Sequence, residues 1–200
     1  MATTDAPSRC PVRRVLIVGT GAPTVAYLPA LVLALRGAGE TEVRAVLTRQ
    51  ARTMVSPAVV SAASGHPVIS EDWQADGTIA HVRWAGWPDI VVVWPATLEF
   101  LARCAFGIAS DVPAATVLST AAPVVFAPSL APHAVQGGPY RRARSLLRRD
   151  GHTVVDPVVG TSLSDLRPSD GACVSVEHVV AEVQRVHRSP EAPPDGSGRG

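Results

Sequence analysis

Short apolar runs alternate along the chain with longer stretches in which apolar positions recur every three or four residues. Uninterrupted apolar runs are typical of strands buried on both faces of a sheet, and the wider spacing is typical of covering helices. The predicted strands are residues 14–18, 42–47, 79–84, 90–94, 124–127 and 153–155. The predicted helices are residues 25–36, 51–64 (with a break near Pro57), 98–109, 140–149 and 177–187.

This alternation predicts an α/β domain whose parallel sheet is covered on both faces. A length of 200 residues fits one domain. We therefore predict one domain over residues 12–188, between a polar disordered arm (residues 1–11) and a polar disordered tail (residues 189–200). Residues 160–171 are predicted to form a polar loop.

The net charge and the cysteine content of the chain limit the classes of protein to which it can belong. The formal net charge of +1 gives no reason to expect nucleic acid or a membrane surface as a partner. No apolar run is long enough to span a membrane, and the first run, residues 15–18, is too short for a signal peptide. Cys10, Cys104 and Cys173 are widely spaced and odd in number. They form no metal-binding pattern and predict a reducing, cytoplasmic location.

The ends of the first two strands carry candidate anion-binding groups. Strand one runs into Gly19-Thr20-Gly21-Ala22-Pro23-Thr24 ahead of a helix, and a glycine turn at a helix N-terminus offers free amides to an anion. A purely structural glycine turn is the alternative, because Thr24 stands where the dinucleotide fingerprint has its third glycine. Strand two ends in Val46-Leu47-Thr48-Arg49 without the acidic residue that binds a ribose in NAD sites. A hydroxyl and a cation favour a phosphate there.

Residues 81–111 are the most informative segment. The strand at residues 90–94 stops at Pro95, and Pro95-Ala96-Thr97 opens the next helix. Ligands of open α/β sheets bind outside the carboxyl ends of the strands. Thr97 and the first free amides of this helix are therefore expected to face a ligand crevice. We expect His81, at the head of the preceding predicted strand, to share that crevice.

The same segment resembles the homo-oligomeric flavin-containing cysteine decarboxylases, which include phosphopantothenoylcysteine decarboxylase and the peptidyl-cysteine decarboxylases of lantibiotic and linaridin biosynthesis. That family has an active-site His, a strand, the motif Pro-Ala-Ser-Ala-Asn-Thr, and a helix that ends in Gly and Asp. The matching residues here are His81, Asp89, Pro95, Ala96, Gly107 and Asp111, while Thr97 replaces Ser and Leu98-Glu99-Phe100 replaces Ala-Asn-Thr. The resemblance covers residues 12–156. It implies a flavodoxin-like (Rossmann-like) three-layer α/β fold with a mostly parallel sheet.

The resemblance implies FMN as the cofactor. The expected FMN-binding residues are Thr20, Gly21, Ala22, Thr24, Thr48, Met54, Pro95, Ala96, Thr97 and Ser119. Met54 stands where the family has an aromatic residue, and Ser119 matches a family Thr near the flavin. Glu99, in place of the family Asn, either lies near the flavin or points away. Near the flavin, its charge would disfavour an anionic reduced form unless the carboxylate is paired or protonated.

The resemblance assigns catalysis to His81, although a lone strand histidine is commonly structural. A neutral imidazole suits the removal of a thiol proton before hydride leaves the cysteine Cβ. In the family, hydride then passes to flavin N5, and the thioaldehyde loses CO2 as an enethiolate. In the pantothenoyl branch a C-terminal Cys protonates this product. Cys173 matches that Cys, but Val174-Ser175-Val176 replaces the usual Gly-Arg-Met.

The family motif Pro-x-Met-Asn-x-x-Met-Trp binds the substrate carboxylate through its Asn. Pro128 agrees with this motif, and Ala131 replaces the Asn. The expected substrate-binding segment therefore contains Ser129, Ala131 and His133, and Gln136, Arg141 and Arg142 are further candidates for the carboxylate. An exposed loop position is the alternative for His133. A site that no longer decarboxylates is the alternative for the whole segment.

The implied function is FMN-dependent oxidative decarboxylation of the C-terminal cysteine of a ribosomally made precursor peptide, giving an enethiol for an aminovinyl-cysteine ring. Loss of the Met-Asn element, loss of Gly-Arg-Met and a stand-alone chain favour this over the alternative, phosphopantothenoylcysteine decarboxylase. A catalytically inactive FMN-binding partner subunit is the other alternative. The expected partners are the precursor peptide, further copies of the chain in a homotrimer or homododecamer, and other peptide-modifying enzymes. Trp84 and Trp87 either form a subunit contact or cover the core.

Overall fold

The computed structural model describes residues 12–69, 80–161 and 167–188. Its main sheet has five parallel strands in the order β2-β1-β3-β4-β5. They are β1 (Arg14–Gly19), β2 (Glu42–Leu47), β3 (Ile90–Ala96), β4 (Val124–Pro128) and β5 (Thr153–Val154). This is the strand order of flavodoxin-like doubly wound sheets. The predicted fold class is confirmed.

Helices cover both faces of the sheet. They are α1 (Leu28–Gly37), α2 (Arg49–Arg52), α3 (Pro57–Ser64), α4 (Ala80–Ala85), α5 (Leu98–Ala105), α6 (Val112–Ser119), α7 (Pro132–Val135), α8 (Gly138–Arg149) and α9 (Val176–Arg188). A 3₁₀ turn, Pro23–Tyr27, precedes α1. A search of the described helices finds none long and apolar enough to cross a membrane.

The core consists of two apolar layers separated by the sheet. Along β3, Ile90, Val92 and Trp94 pack with α1, α3 and α9. Val91 and Val93 pack on the opposite face with α5, α6 and α8. Because β3 is buried along its whole length, its sequence is an uninterrupted apolar run, which is why it was predicted from sequence.

The predicted strand at residues 79–84 is wrong, because residues 80–85 form α4. Ala80 and Ala85 are buried, His81 and Trp84 are half-buried, and Val82 and Arg83 are exposed. The buried positions therefore lie on one side of a helix rather than alternating as on a strand. A segment of six residues is too short for its apolar pattern to separate the two structures. Ile79 lies outside the described residues.

Other differences concern elements that the apolar pattern did not predict. Helix α6 was not predicted, and the predicted loop at residues 160–171 contributes to an antiparallel hairpin, β6 (Val158–Thr161) and β7 (Pro168–Ala172). The predicted helix at residues 98–109 ends at Ala105, and Gly107 follows with φ of +70°. A left-handed glycine is a common helix stop. The predicted disordered arm and tail lie outside the described residues.

Candidate functional site

A crevice is expected at the carboxyl ends of β1 and β3, because the connections on the two sides of this strand pair run in opposite directions along the sheet. One side chain joins the loops that follow these strands. The Thr20 hydroxyl donates to the carbonyl oxygen of Pro95 at 2.6 Å and accepts from the backbone amide of Thr97 at 3.0 Å. Thr20 is only 1% exposed. The first and third βα loops are thus held together at the topological switch point.

Backbone hydrogen bonds extend this junction along the edge of the sheet. The amide of Thr48, after β2, donates to the carbonyl of Gly19 at 3.0 Å. The amide of Ser129, after β4, donates to the carbonyl of Ala96 at 2.9 Å, and the amide of Leu130 donates to Gly171 in β7 at 2.8 Å. The predicted residues Thr20, Thr48, Ala96, Thr97 and Ser129 are therefore brought together at one edge, which we call the carboxyl edge.

Two glycines, one at the end of β1 and one in the loop that follows it, are required by close packing. A Cβ on Gly19 would lie 2.7 Å from side-chain carbons of both Leu28 and Leu47. A Cβ on Gly21 would lie 2.6 Å from the Cβ of Gln50 in α2. Contacts below 3 Å require a shift of the backbone or its neighbours, so only glycine fits here. Close packing thus accounts for both glycines, and it places the first loop directly against the beginning of α2.

The carboxyl edge also offers hydrogen-bond donors suited to an anion. Thr48 caps α2 by accepting from the Ala51 amide, and Thr97 caps α5 by accepting from the Phe100 amide, each at 3.3 Å. Both hydroxyls act as acceptors in these bonds, and neither donates a hydrogen bond to another described residue. The N-terminus of α5 adds the backbone amides of Leu98 and Glu99, which have no intrahelical acceptor. This donor set fits a phosphate.

Glu99 does not bring an unpaired charge to this edge. Its Oε1 lies 2.5 Å from Nε of Arg103, one turn further along α5. Arg103 also pairs with Asp111 at 2.7 Å, and Asp111 caps α6 by accepting from the Ala114 amide at 2.8 Å. Burial alone would lower the pKa of Arg103, but Asp111 and Glu99 raise it above its ordinary value. The structure therefore favours the alternative in which Glu99 points away from the crevice.

His81 lies in the first turn of α4 rather than at the head of a strand. It is half-buried. The other end of α4 is fixed by a hydrogen bond from the Thr120 hydroxyl to the carbonyl of Ala85, 2.7 Å long. Thr120 lies just before β4, at the amino edge of the sheet. The helical rise is about 1.5 Å per residue, so His81, four residues before Ala85, lies roughly 6 Å along the helix axis from the Ala85 end of α4. Its catalytic role stays a prediction.

Not every residue expected to bind the cofactor lies at the carboxyl edge. Ser119 ends α6 and lines a cleft of about 540 Å³ together with Asp89, Ala121 and Ala122, which immediately precede β3 and β4. The structure therefore places Ser119 at the amino edge, apart from Thr97. Of the other expected residues, Met54 follows α2 and is 39% exposed.

The loop after β4 carries the expected substrate-binding residues. Ala131 caps α7 through its backbone, and both Ala131 and His133 are exposed. In the next helix, Arg142 folds back over Gly138, with Nη1 3.0 Å from the position that a Cβ of Gly138 would take. Within the described residues neither Arg141 nor Arg142 forms an ion pair, whereas Arg144 and Arg148 pair with Asp156.

The two cysteines in the described part of the chain are free thiols with raised pKa values. Cys173 donates to the carbonyl of Ala127 at 3.4 Å, and burial raises its pKa to about 12. Burial also raises the pKa of Cys104 to about 12. Both therefore stay protonated at neutral pH, and neither supplies a thiolate nucleophile.

Sequence reasoning missed the Arg103–Asp111 junction and the helix that Asp111 caps. Signals for both were present. Glu99 and Arg103 stand four residues apart on a predicted helix, which is the spacing of an ion pair. Asp111 precedes Val112-Pro113, and an acidic N-cap followed by a proline in the first turn indicates a helix start.

Comparison with known proteins decides the family. Residues 4–188 match the family model described as Flavoprotein. The chain belongs to this flavoprotein family. The prediction of a flavin cofactor is thereby confirmed. The chain is also 33% identical over 150 residues to the coenzyme A biosynthesis bifunctional protein CoaBC of Bacillus subtilis (strain 168). That match covers 74% of this chain but only 37% of the bifunctional protein's length.

Solved structures of two decarboxylases share the fold. The crystal structure of the FMN-dependent cysteine decarboxylase SpaF has a TM-score of 0.74 and 32% identity, covering 88% of this chain and 98% of SpaF. A PPC decarboxylase complexed with pantothenoylaminoethenethiol has a TM-score of 0.79, covering 88% of this chain and 99% of that one. Its 18% identity supports the fold alone. The resemblance to the flavin-containing cysteine decarboxylases is thus confirmed at the level of the family.

Proposed function

We propose that this protein is an FMN-dependent decarboxylase that acts oxidatively on a C-terminal cysteine. The cofactor is FMN. The observation that carries the proposal is the joined carboxyl edge, in which Thr20 ties the β1 and β3 loops and Thr48 and Thr97 keep donor hydrogens for a phosphate. The 32% identity to the cysteine decarboxylase SpaF over 88% of the chain supports the reaction class.

We propose a ribosomally made precursor peptide as the substrate. Its C-terminal cysteine would be converted, with loss of CO2 and two hydrogen atoms, to an enethiol that closes an aminovinyl-cysteine ring. Two departures from the pantothenoyl pattern support a peptide: Ala131 stands in place of the carboxylate-binding Asn, and Val174 follows Cys173 directly. Cys173 is hydrogen-bonded to the main chain and packs against the core, which further supports a structural role.

The chemistry divides between the flavin and the side chains. When bound, FMN supplies the two-electron oxidation of the cysteine Cα–Cβ bond. His81 acts as the general base that takes the thiol proton. Arg142, or its neighbour Arg141, holds the terminal carboxylate before it leaves as CO2, because neither guanidinium is engaged by a described carboxylate. The β6–β7 hairpin joins the loop after β4 at Leu130 and exposes Val158 and Val159 for contact with the peptide.

We propose further that the enzyme works as a homotrimer or homododecamer and meets other peptide-modifying enzymes in a reducing cytoplasm. Trp84 and Trp87 pack edge to face, with ring centroids 6.0 Å apart, and the guanidinium of Arg44 lies within 5.8 Å of both rings. Both indoles remain half-exposed, which supports a subunit contact. If the flavin lies between subunits, the general base His81 and the carboxyl edge need not belong to the same copy of the chain.

Mass spectrometry of candidate substrates tests this function. Purified flavin-bound protein is incubated with synthetic peptides that end in cysteine and, separately, with phosphopantothenoylcysteine. Loss of one CO2 and two hydrogen atoms from a peptide is the expected result. Loss of CO2 alone from phosphopantothenoylcysteine would instead establish the coenzyme A reaction, and no change in either substrate would favour an inactive FMN-binding partner subunit. Peptides ending in serine serve as the control, because they have no thiol proton to remove.

A further inference from the structure

Thr20 differs from the other threonines of the carboxyl edge in how its hydroxyl is used. A threonine hydroxyl has one hydrogen to donate and two lone pairs to accept with. The hydrogen of Thr20 is committed to the carbonyl of Pro95 at 2.6 Å, and the Thr97 amide occupies a lone pair at 3.0 Å. Both partners belong to the β3–α5 loop, and Thr20 is 1% exposed. The hydroxyl of Thr20 is therefore engaged within the protein both as a donor and as an acceptor.

Because the Thr20 hydroxyl hydrogen is already donated to Pro95, the Thr20 side chain is not available to bind the FMN phosphate, contrary to what the resemblance implies. A phosphate dianion accepts hydrogen bonds and donates none, so it needs a hydroxyl with a free hydrogen. Thr48 and Thr97 meet that need, because each accepts from a backbone amide at 3.3 Å and keeps its own hydrogen. Thr20 could donate to a phosphate only by abandoning Pro95 and leaving a buried carbonyl without its partner.

We propose that Thr20 is a positioning residue that aligns the two halves of the flavin site. It holds the β1 loop, which contributes Gly21 and Ala22, against the first turn of α5, which contributes Thr97. A flavin that spans the switch point contacts both loops, so its affinity depends on their relative position as well as on each loop's own donors. This inference rests on the proposed binding of FMN.

The test compares FMN with riboflavin, which lacks the phosphate. Dissociation constants are measured by flavin fluorescence on the flavin-free full-length chain. A positioning role predicts that Thr20→Val weakens both flavins by a similar factor of about tenfold or more, because it removes two buried hydrogen bonds at once. Thr20→Ser restores both bonds and should bind each flavin within about threefold of the wild type. If Thr20→Val folds poorly, Thr20→Ala replaces it, and the same loss of affinity for both flavins is expected.

Two control variants separate positioning from general damage. Thr41 is a buried hydroxyl of the same kind at the amino edge, where it donates to the carbonyl of Val12 at 2.9 Å. Thr41→Val should lower Tm but leave both dissociation constants within about twofold, because no flavin contact depends on it. Thr48→Val should weaken FMN and spare riboflavin, which is the signature of a phosphate ligand.

The outcomes distinguish the inference from the function on which it rests. Loss of FMN affinity in Thr20→Val with riboflavin unaffected would overturn positioning and make Thr20 a phosphate ligand. An effect no larger than that of Thr41→Val, or no rescue by Thr20→Ser, would also overturn it. Since no substrate is present, failure to decarboxylate peptides leaves these results intact. A wild type that binds neither flavin would overturn the cofactor proposal, and the Thr20 inference with it.

Discussion

The two edges of the sheet use their polar groups in opposite ways. At the amino edge the charges satisfy one another: Asp89 accepts from the amides of Arg13 and Arg14 and pairs with the Arg14 guanidinium at 2.8 Å. At the carboxyl edge, by contrast, Thr48 and Thr97 keep hydrogens that the described chain does not use. A polar side chain is available to a ligand only where the fold has not already engaged it.

This difference shows that two residues can both match the family pattern and still have different roles in the structure. Asp89 and Pro95 both match the family pattern, yet Asp89 lies beside an apolar cleft with its charge neutralised. Burial alone would raise the pKa of Asp89, but the hydrogen bonds and charge of Arg14 and the Arg13 amide hold it below its ordinary value. Asp89 thus stabilises the amino edge, whereas Pro95 belongs to the carboxyl edge through its bond with Thr20.

The largest expected effect comes from the proposed base. His81→Asn should lower kcat for a C-terminal cysteine peptide by roughly 10²–10⁴-fold, the usual contribution of general base catalysis. FMN affinity should stay unchanged, because no cofactor contact is assigned to His81. His178→Asn is a matched control, since His178 is an exposed histidine on α9, remote in the sequence from α4. A variant that retains full kcat would remove His81 from the mechanism.

A substitution at the amino edge should change the stability of the protein without changing its function. Asp89→Asn should lower the free energy of unfolding by about 2 kcal/mol at neutral pH, because it weakens charged hydrogen bonds at the start of β1 and β3. FMN affinity and kcat should not change. Chemical denaturation followed by circular dichroism measures the first quantity, and fluorescence titration the second. A large loss of flavin affinity would mean that the two edges are not independent.

The pH dependence of that variant follows from the direction of the pKa shift. The folded pKa of Asp89 lies below its ordinary value of 3.8. Its contribution is therefore fully present above that value and disappears as pH falls through the folded pKa. The stability gap between wild type and Asp89→Asn should be constant from neutral pH to about pH 5 and close in more acidic solution. Asp150→Asn, an exposed carboxylate 3.9 Å from Arg149, should show no comparable gap.

Sequence predicted the parts of the fold that rest on long apolar runs. Strands β1, β3 and β4 read as apolar segments because helices bury both of their faces, whereas β2, at the edge of the sheet, keeps Glu42 and Arg44 at half-buried positions. Helix α4 was missed because six residues show too little of a helical period. The β6–β7 hairpin was missed because it is largely exposed and its strands are not apolar runs.

The location of the candidate site could be predicted from the sequence, but the hydrogen-bonding role of each of its residues could not. Parallel topology alone places Thr48, Thr97 and Ser129 at one edge. Which hydroxyl keeps its hydrogen depends on contacts across more than seventy residues, such as Thr20 with Pro95. No local pattern encodes such contacts. Pairing of Glu99 with Arg103, by contrast, was readable from their spacing within one helix.

A smaller effect is expected from the arginine proposed to hold the substrate. Arg142→Ala should raise KM for a C-terminal cysteine peptide about tenfold, equivalent to roughly 1.4 kcal/mol of lost carboxylate binding, with kcat nearly unchanged. Arg149→Ala, at the far end of the same helix, is the control for lost positive charge. Equal effects of the two variants would indicate general attraction of an acidic peptide. No effect of Arg142→Ala would turn attention to Arg141 and Ser129.

The smallest expected effect concerns Ser119, where the resemblance and the structure disagree most. The resemblance puts Ser119 near the flavin, but the structure puts it beside Asp89 at the amino edge. If the flavin binds at the carboxyl edge of the same chain, Ser119→Ala should change FMN affinity by less than about twofold, as exposed substitutions away from a site usually do. Thr97→Val, which removes a hydroxyl donor of the crevice, is the comparison and should weaken FMN clearly. A Ser119→Ala variant that loses FMN as strongly would require the flavin to contact the amino edge, which only a second copy of the chain could bring to the crevice.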